Sequence, residues 1–309
     1  MRVNPDSMQN PDRLPPRDLP RRRSGRHRNP LSFDSWIGTP ELVLAVPGGP
    51  DGAADEIGRE MVGLLRSYRP EVGIRHGLTG ADGDGGLTAA LDGLTAQEGR
   101  ALAGVVVPLV TGPHAATTRA IEEAVAATGA DVRVTEGLGP HPMLAEVLHL
   151  RLAEAGFVRA DRMRLISVVA PSTSMADGVV VGSSGGAEAA AAAGVTAVLL
   201  AARLGITVLP ADLDDDAALA AAVGQLREAG CGRPVIAPCV VGPELPEGRL
   251  DELAERNSAR ASAPLGAGGT LAKIAALRYA EILNALGVET PPSVDELPAP
   301  VGSRHRPES

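Results

Sequence analysis

The chain has little cysteine, almost no lysine and no excess of positive charge. Its two cysteines, Cys231 and Cys239, are separated by seven residues, which excludes a C-x-x-C redox motif and the usual spacing of a zinc pair. Lys273 is the single lysine, so arginine supplies nearly all the positive charge, and 38 acidic residues outnumber 29 basic ones. This balance argues against broad nucleic-acid binding, although a local basic patch could serve an anionic ligand.

Long apolar runs and export signals are lacking as well. No uninterrupted run approaches the roughly 18 apolar residues that span a bilayer. The three arginines at 21–23 are not followed by the apolar segment that an export signal needs. We therefore expect a cytoplasmic protein with reduced cysteines and no membrane partner.

The 309 residues, 44% of them apolar, suggest about two domains by the rule of roughly 150 residues each. Residues 1–39 are rich in proline and arginine without periodicity, and residues 288–309 have a similar texture, so both are expected to be disordered tails. Between them, short β-like runs alternate with alanine-rich amphipathic helices, which predicts an α/β fold with a parallel sheet flanked by helices. In the first half, strands are predicted at 42–46, 72–76, 104–110 and 132–138.

The second half of the chain repeats the first. The segment VVVPLVTGPHAATTRAIEEAV (105–125) is echoed by VIAPCVVGPELPEGRLDELAE (235–255), and GLGPHPMLAEVLHLRLAEA (137–155) by PLGAGGTLAKIAALRYAEI (264–282). Because the order of the segments is also kept, the sequence predicts a duplicated α/β domain. The two copies are expected at 40–158 and 163–287.

Two histidines stand near predicted strand ends. His114 follows the third predicted strand, and His76 closes the second. Ligands of open parallel sheets bind beyond the carboxyl ends of the strands. Neutral imidazole is a common metal ligand and a base near neutral pH. The pair therefore indicates either metal handling and proton transfer in a cleft or, equally, two solvated loop histidines.

The stretch VVVPLVTGPHAATTRAIEEAV, followed by GLGPHPMLAEVLHLRLAEAG (137–156), resembles the sirohydrochlorin chelatases of the small ATP-independent type. The resemblance implies two flavodoxin-like halves facing a cleft. It also implies insertion of Co²⁺ or Fe²⁺, as substrate, into an anionic sirohydrochlorin-type tetrapyrrole without an organic cofactor. In this resemblance, His114 matches the family's second metal-binding histidine.

The chain departs from the family pattern at the positions expected to carry the metal ligands and catalytic residues. Pro47 stands where the family has its first histidine, and His76 or its neighbour Gly77 takes the place of an acidic residue after the second strand. In the second half, Glu244 occupies the position equivalent to His114. The candidate metal ligands and catalytic residues are therefore His114 and His76, as a rearranged pair.

A tetrapyrrole rich in carboxylates needs local donors in a net acidic protein. The starts of the helices after His114 and after GPHP (139–142) could supply backbone N–H groups, with a neutral His141 at the second of them. Arg75 and Arg119 are further candidates for substrate binding, although an arginine in such a place is more often an ordinary solvated surface residue.

The second of these helices has a clear apolar pattern. Pro142 fits its first turn, where a missing N–H costs nothing, and one stripe faces the sheet. The stripe consists of Leu144, Val147, Leu148 and Leu152. His149 is expected to face solvent.

Two other functions stay open at this point. The chain could be a non-enzymatic relative that binds a tetrapyrrole, a metal or a protein in the same cleft. It could also bind a nucleotide through GSSGGAEAAAAAG (182–194), although this segment lacks the full G-x-G-x-x-G pattern.

Overall fold

The chain folds into two four-stranded parallel sheets with helices on both faces of each, which confirms the predicted α/β class. The computed structural model describes residues 40–49, 53–92, 94, 102–159 and 175–286, all within one compact unit. The two predicted tails and most of the predicted join between the halves lie outside the described residues.

The two halves run through the same order of elements. The first half contains β1 Glu41–Val46, α1 Ala54–Tyr68, β2 Ile74–Leu78, α2 Leu87–Asp92, β3 Gly104–Pro108, α3 Ala115–Thr128, β4 Val132–Val134 and α4 Pro142–Glu154. The second half contains β5 Gly178–Ser183, α5 Ala187–Leu204, β6 Thr207–Asp212, α6 Asp216–Glu228, β7 Pro234–Pro238, α7 Arg249–Arg256, β8 Arg260–Ala261 and α8 Gly269–Ala285.

The duplication extends to strand order and register. The first sheet has the order β2-β1-β3-β4 and the second β6-β5-β7-β8. Ala45 aligns with Pro108 across β1 and β3, as Gly182 aligns with Pro238 across β5 and β7. The register therefore makes Ser184 the counterpart of Pro47, two residues after each of these central positions.

A single core joins the two halves. It takes residues from one face of β1, β3, β5 and β7 and from α1, α4, α5 and α8, and α1 packs against α8 as α4 packs against α5. Two smaller cores cover the outer faces, one under α2 and α3 and the other under α6 and α7. Residues of β1 alternate between the shared core and the outer core, as expected for a strand buried on both faces.

The second strand differs from its prediction, and the prediction that His76 closes it is wrong. β2 continues pairing with β1 until Leu78 meets Val46, so His76 is the third of its five residues. Gly77 does not end the strand. It lacks a side chain because α2 passes close by, and a Cβ at Gly77 would lie 2.5 Å from Leu87 Cα.

The helix α4 has the predicted apolar face. Pro142 is in its first turn, and Leu144, Val147, Leu148 and Leu152 are all buried. The prediction for His149 is wrong, because α5 packs against α4 and leaves that side chain only 6% exposed. His149 Nε2 lies 2.7 Å from the Arg159 carbonyl, and Arg203 Nε donates to His149 Nδ1 at 2.7 Å.

Of the helices in the described part of the chain, α5 is long and apolar enough to cross a membrane by length and composition. Its buried side chains, however, pack against β5, β6 and α4. Of this span 28% is buried, and its other face exposes Val195, Val198 and Leu199.

Candidate functional site

A cavity of about 950 Å³ lies between the two halves of the chain. Gly48 and Gly49, just after β1, form one side of it, and Val241 to Pro243, just after β7, form the other. This is the carboxyl end of both sheets, where parallel α/β folds bind ligands. Its volume is at the upper end of the range for small-molecule pockets, roughly 300–1,000 Å³.

The lining of the cavity consists mostly of glycine, alanine and proline. These small residues leave a wide slot rather than a pocket divided by side chains. Arg151, Glu247 and Asp251 are the charged residues among those that line it. Two helices begin at the cavity, α1 through Ala53 and Ala54 and α7 through Gly248 and Leu250, and neither is α3 or α4 as the sequence indicated.

Glycines allow loops of the two halves to approach each other closely at two equivalent places. A Cβ on Gly48, whose φ is +100°, would lie 3.3 Å from both Cβ and O of Pro243. At the equivalent place, a Cβ on Gly185 would lie 2.3 Å from the Pro113 carbonyl oxygen. The loop after the first strand of each half, β1 or β5, therefore meets the loop after the third strand of the other half, β7 or β3.

A hydrogen bond also joins the ends of β3 and β7. Thr111 Oγ1 donates to the Cys239 carbonyl. Complete burial raises the pKa of the Cys239 thiol to about 12, so this cysteine is protonated and unreactive at neutral pH.

His114 caps the start of α3. Its Nδ1 accepts a hydrogen bond from Thr117 N at 3.2 Å and lies 2.9 Å from Thr117 Oγ1. The side chain is half-buried, and Nε2 has no hydrogen-bond partner among the described residues. The ring is therefore fixed through Nδ1, and in this arrangement the Nε2–H of the neutral ring is free to donate to an acceptor.

His76 has a different neighbourhood. Its Nε2 lies 2.9 Å from Asp55 Oδ1, and this hydrogen bond holds the pKa of Asp55 below its ordinary value. Gly58 of α1 leaves room for the ring, since a Cβ there would lie 2.3 Å from His76 Cδ2. The central strand β1 separates β2 from β3, and no hydrogen bond between described residues joins His76 to His114.

Within the described ranges, no group of three or more His, Cys, Asp or Glu residues is arranged to hold a metal ion. Pro47 follows β1 directly. Its counterpart Ser184 donates through Oγ to Asp214 Oδ2 at 2.9 Å, and Gly185 N donates to the same oxygen at 2.8 Å. The two β1-type loops therefore carry different chemistry in the two halves.

Glu244, the counterpart of His114, closes its own loop. Its carboxylate accepts from Val241 N at 2.9 Å and from Gly242 N at 2.7 Å. Burial raises the pKa of Glu244, while these backbone N–H groups oppose the rise. The equivalent positions His114 and Glu244 thus stabilise their loops in different ways.

The three residues expected to bind substrate do not line the cavity. His141 caps α4, accepting from Met143 N at 3.2 Å, and burial together with the Arg278 charge lowers its pKa, which favours the neutral ring. Arg75 pairs with Glu41 at the sheet edge, 2.5 Å from its Oε2, and Arg119 is exposed on α3.

Arg151 is a cavity residue that the sequence reasoning missed. Its Nε and Nη2 donate to the Leu265 carbonyl at 3.1 and 2.6 Å, and its Nη1 donates to Glu154 Oε2 at 2.8 Å. Leu265 lies 114 residues away in the chain, so only the packing of the two halves brings them together. One signal was present: the repeat aligns Arg151 with Arg278.

No family model and no curated protein matches the chain. Among solved structures, the chain is similar to SirB from Bacillus subtilis with Fe³⁺, with a TM-score of 0.50 and 15% identity over 80% of this chain and 98% of that chain. It is also similar to sirohydrochlorin chelatase SirB from Bacillus subtilis subspecies spizizenii in complex with cobalt, with a TM-score of 0.46 and 13% identity over 78% and 94%.

A multi-domain protein from Deinococcus radiodurans, described as structurally similar to chelatases, matches with a TM-score of 0.49 and 16% identity. That match covers 79% of this chain and 55% of the Deinococcus protein, so the chain spans about half of its length. At these identities the similarity concerns the fold. The chain has the two-sheet fold of SirB, and its chemistry has to be argued from its own residues.

Proposed function

We propose that this chain is a chelatase-like protein that binds an anionic, sirohydrochlorin-type tetrapyrrole in the cleft between its halves. The observation that carries the proposal is the cavity of about 950 Å³ at the carboxyl ends of β1 and β7. It is supported by a fold that aligns with 98% of the SirB chain.

The shape and charge of the cleft suit such a ligand. A wide slot walled by small residues accommodates a flat macrocycle, which bulky side chains would exclude. Arg151 offers a positive charge inside the slot, whereas the carboxylates of Glu247 and Asp251 belong to exposed residues that water solvates. The tetrapyrrole is therefore expected to place a carboxylate towards Arg151 and away from Glu247 and Asp251.

An anaerobic absorbance titration with sirohydrochlorin tests the proposal. Wild-type protein should bind one macrocycle per chain. Ala53→Trp, which fills the cavity from an exposed lining position, should weaken binding at least about tenfold, the effect of losing roughly 1.4 kcal/mol. Ala191→Trp, an equal change on the exposed face of α5, is the matched control. Equal binding by both variants would place the ligand outside the cleft.

Metal insertion is a second candidate function, and it depends on His114, which follows β3 but does not line the cavity. With Nδ1 accepting from Thr117 N, the neutral ring carries its proton on Nε2. Nε2 could hold Co²⁺ or Fe²⁺ as substrate only in the other tautomer, in which Nδ1–H donates to Thr117 Oγ1 at 2.9 Å and the hydrogen bond from Thr117 N is lost. The same nitrogen could instead take a pyrrole proton, the other demand of insertion. His76 stays a proposed partner that would have to leave Asp55, and His141, Arg75 and Arg119 stay proposed substrate contacts.

Anaerobic insertion assays with sirohydrochlorin and Co²⁺ separate the two candidates. A chelatase should exceed the uncatalysed rate and lose that excess in His114→Ala, and Pro47→His should raise the rate by adding the family's first histidine. A binding protein should bind the macrocycle without accelerating insertion.

A further inference from the structure

The last helices of the two halves carry equivalent arginines. Arg151 of α4 donates through Nε to the Leu265 carbonyl, and Arg278 of α8 donates through Nε to the Gly137 carbonyl at 2.9 Å. Each arginine therefore ties its helix to the loop that precedes the last helix of the other half. The repeat predicts this equivalence, because the two arginines occupy the same place in the aligned segments 137–155 and 264–282.

The surroundings of the two arginines differ by one carboxylate. Arg278 Nη1 lies 3.1 Å from Glu281 Oε2 and 3.6 Å from Glu136 Oε2. Arg151 Nη1 has the counterpart of the first, Glu154 Oε2 at 2.8 Å, but a counterpart of the second does not occur among its described contacts. One arginine is thus balanced by two carboxylates and the other by one.

Ala263 stands at the position equivalent to Glu136. The residues before them, Thr135 and Ser262, are both buried and donate their backbone N–H groups to β3 and β7 respectively. Glu136 and Ala263 are both exposed, so the two loops share the same order of a buried residue followed by an exposed one. The carboxylate that neutralises Arg278 has therefore been replaced by a methyl group beside Arg151.

This replacement faces the cavity. Arg151, Ala263 and Gly266 all line it, and the Arg151 side chain is 25% exposed. A guanidinium has five N–H donors, and the contacts with Leu265 and Glu154 use three of them, one each on Nε, Nη2 and Nη1. Two N–H donors remain for a ligand at the edge of the slot.

We propose that Arg151 binds a carboxylate of the cleft ligand at the place that Glu136 occupies against Arg278. The inference rests on the proposed use of the cleft for an anionic ligand and names the residue that recognises its charge. Guanidinium groups bind planar carboxylates through paired N–H donors, which gives orientation as well as affinity. The carboxylate could come from a tetrapyrrole side chain or from a small polycarboxylate, and the test distinguishes these sources.

Ala263→Glu tests the proposal by supplying the carboxylate from the protein itself. It should occupy Arg151 as Glu136 occupies Arg278, and weaken binding of uroporphyrin, a stable carboxylate-rich macrocycle, about 10-fold to 100-fold. Ala263→Gln fills the same space without charge and should bind considerably more tightly than Ala263→Glu. Equal losses in these two variants would mean that bulk alone blocks the cleft, which would overturn the proposal.

Arg151→Gln and Arg278→Gln form a matched pair, because each removes one tie between the halves but only the first changes the cavity. Arg151→Gln should weaken uroporphyrin binding about as much as Ala263→Glu, and Arg278→Gln should stay within about threefold of wild type. Their thermal unfolding should shift by similar amounts. Equal binding by both variants would overturn the role of Arg151.

Citrate distinguishes failure of this inference from failure of the proposed function. If neither sirohydrochlorin nor uroporphyrin binds wild-type protein but citrate does, and Ala263→Glu abolishes citrate binding, the tetrapyrrole is wrong and the carboxylate site stands. If wild-type protein binds neither uroporphyrin nor citrate, the carboxylate site is overturned. If uroporphyrin binds wild type and all variants equally, the site is overturned while tetrapyrrole binding stands.

Discussion

Replacing Leu219 by alanine should destabilise the half of the molecule that does not contain it. Leu219 lies in α6 and is fully buried in the outer core of the second half. Removing such a side chain costs about 2–5 kcal/mol, depending on how far the cavity collapses. Because the larger core takes residues from both halves, we expect the chain to unfold in one cooperative transition. The loss in free energy of unfolding should therefore be the same when it is measured in the first half.

Hydrogen exchange followed by mass spectrometry measures this coupling. The slowest amides of β3 in the first half and β7 in the second should both exchange faster by roughly 30-fold to several thousand-fold, since each 1.4 kcal/mol is a factor of ten. Val198→Ala is the control, because Val198 is 70% exposed on α5 and should change stability by less than about 0.5 kcal/mol. Faster exchange confined to β7, with β3 unchanged, would refute the shared core.

Three further measurements test local features. The pKa of His141 is lowered in the folded chain, so just below the ordinary value of 6.5 the unfolded chain binds more protons than the folded one. The free energy of unfolding of the wild type should therefore fall as the pH drops through that window. His141→Asn, which can still cap α4, should lose this part of the pH dependence in denaturant titrations. Asp215 caps α6 by accepting from Ala217 N at 2.8 Å, so Asp215→Ala should cost about 1 kcal/mol in the same assay, and no change would contradict the cap. Iodoacetamide should label Cys239 far more slowly in the native chain than in the unfolded one, because burial raises its pKa to about 12; equal rates would show that the site opens readily.

The sequence predicted the architecture well because the relevant signals are local or repeated. Each central strand is an apolar run bounded by glycine or proline, and the kept order of the two repeats predicted two sheets of equal topology. The boundary at His76 failed because a glycine normally signals a break, whereas Gly77 is required by the close passage of α2. That requirement is tertiary and leaves no trace in the strand itself.

The candidate site was harder to predict, since its residues come from distant parts of the chain. The histidines were proposed from their positions near predicted strand ends, and neither lines the cavity. The contacts of His76 with Asp55 and of His114 as a helix cap depend on side-chain directions. Arg151 was missed because its partner Leu265 belongs to the other half. Comparing the repeats residue by residue, with glutamate in one loop and alanine in the other, would have identified it.

A crystal structure of the chain with sirohydrochlorin bound tests the use of the cleft most directly. We expect the macrocycle to lie between the Gly48 loop and the Pro243 loop, with one of its carboxylates within hydrogen-bond distance of Arg151. A macrocycle bound on another surface, with the cavity between the halves unfilled, would contradict this expectation.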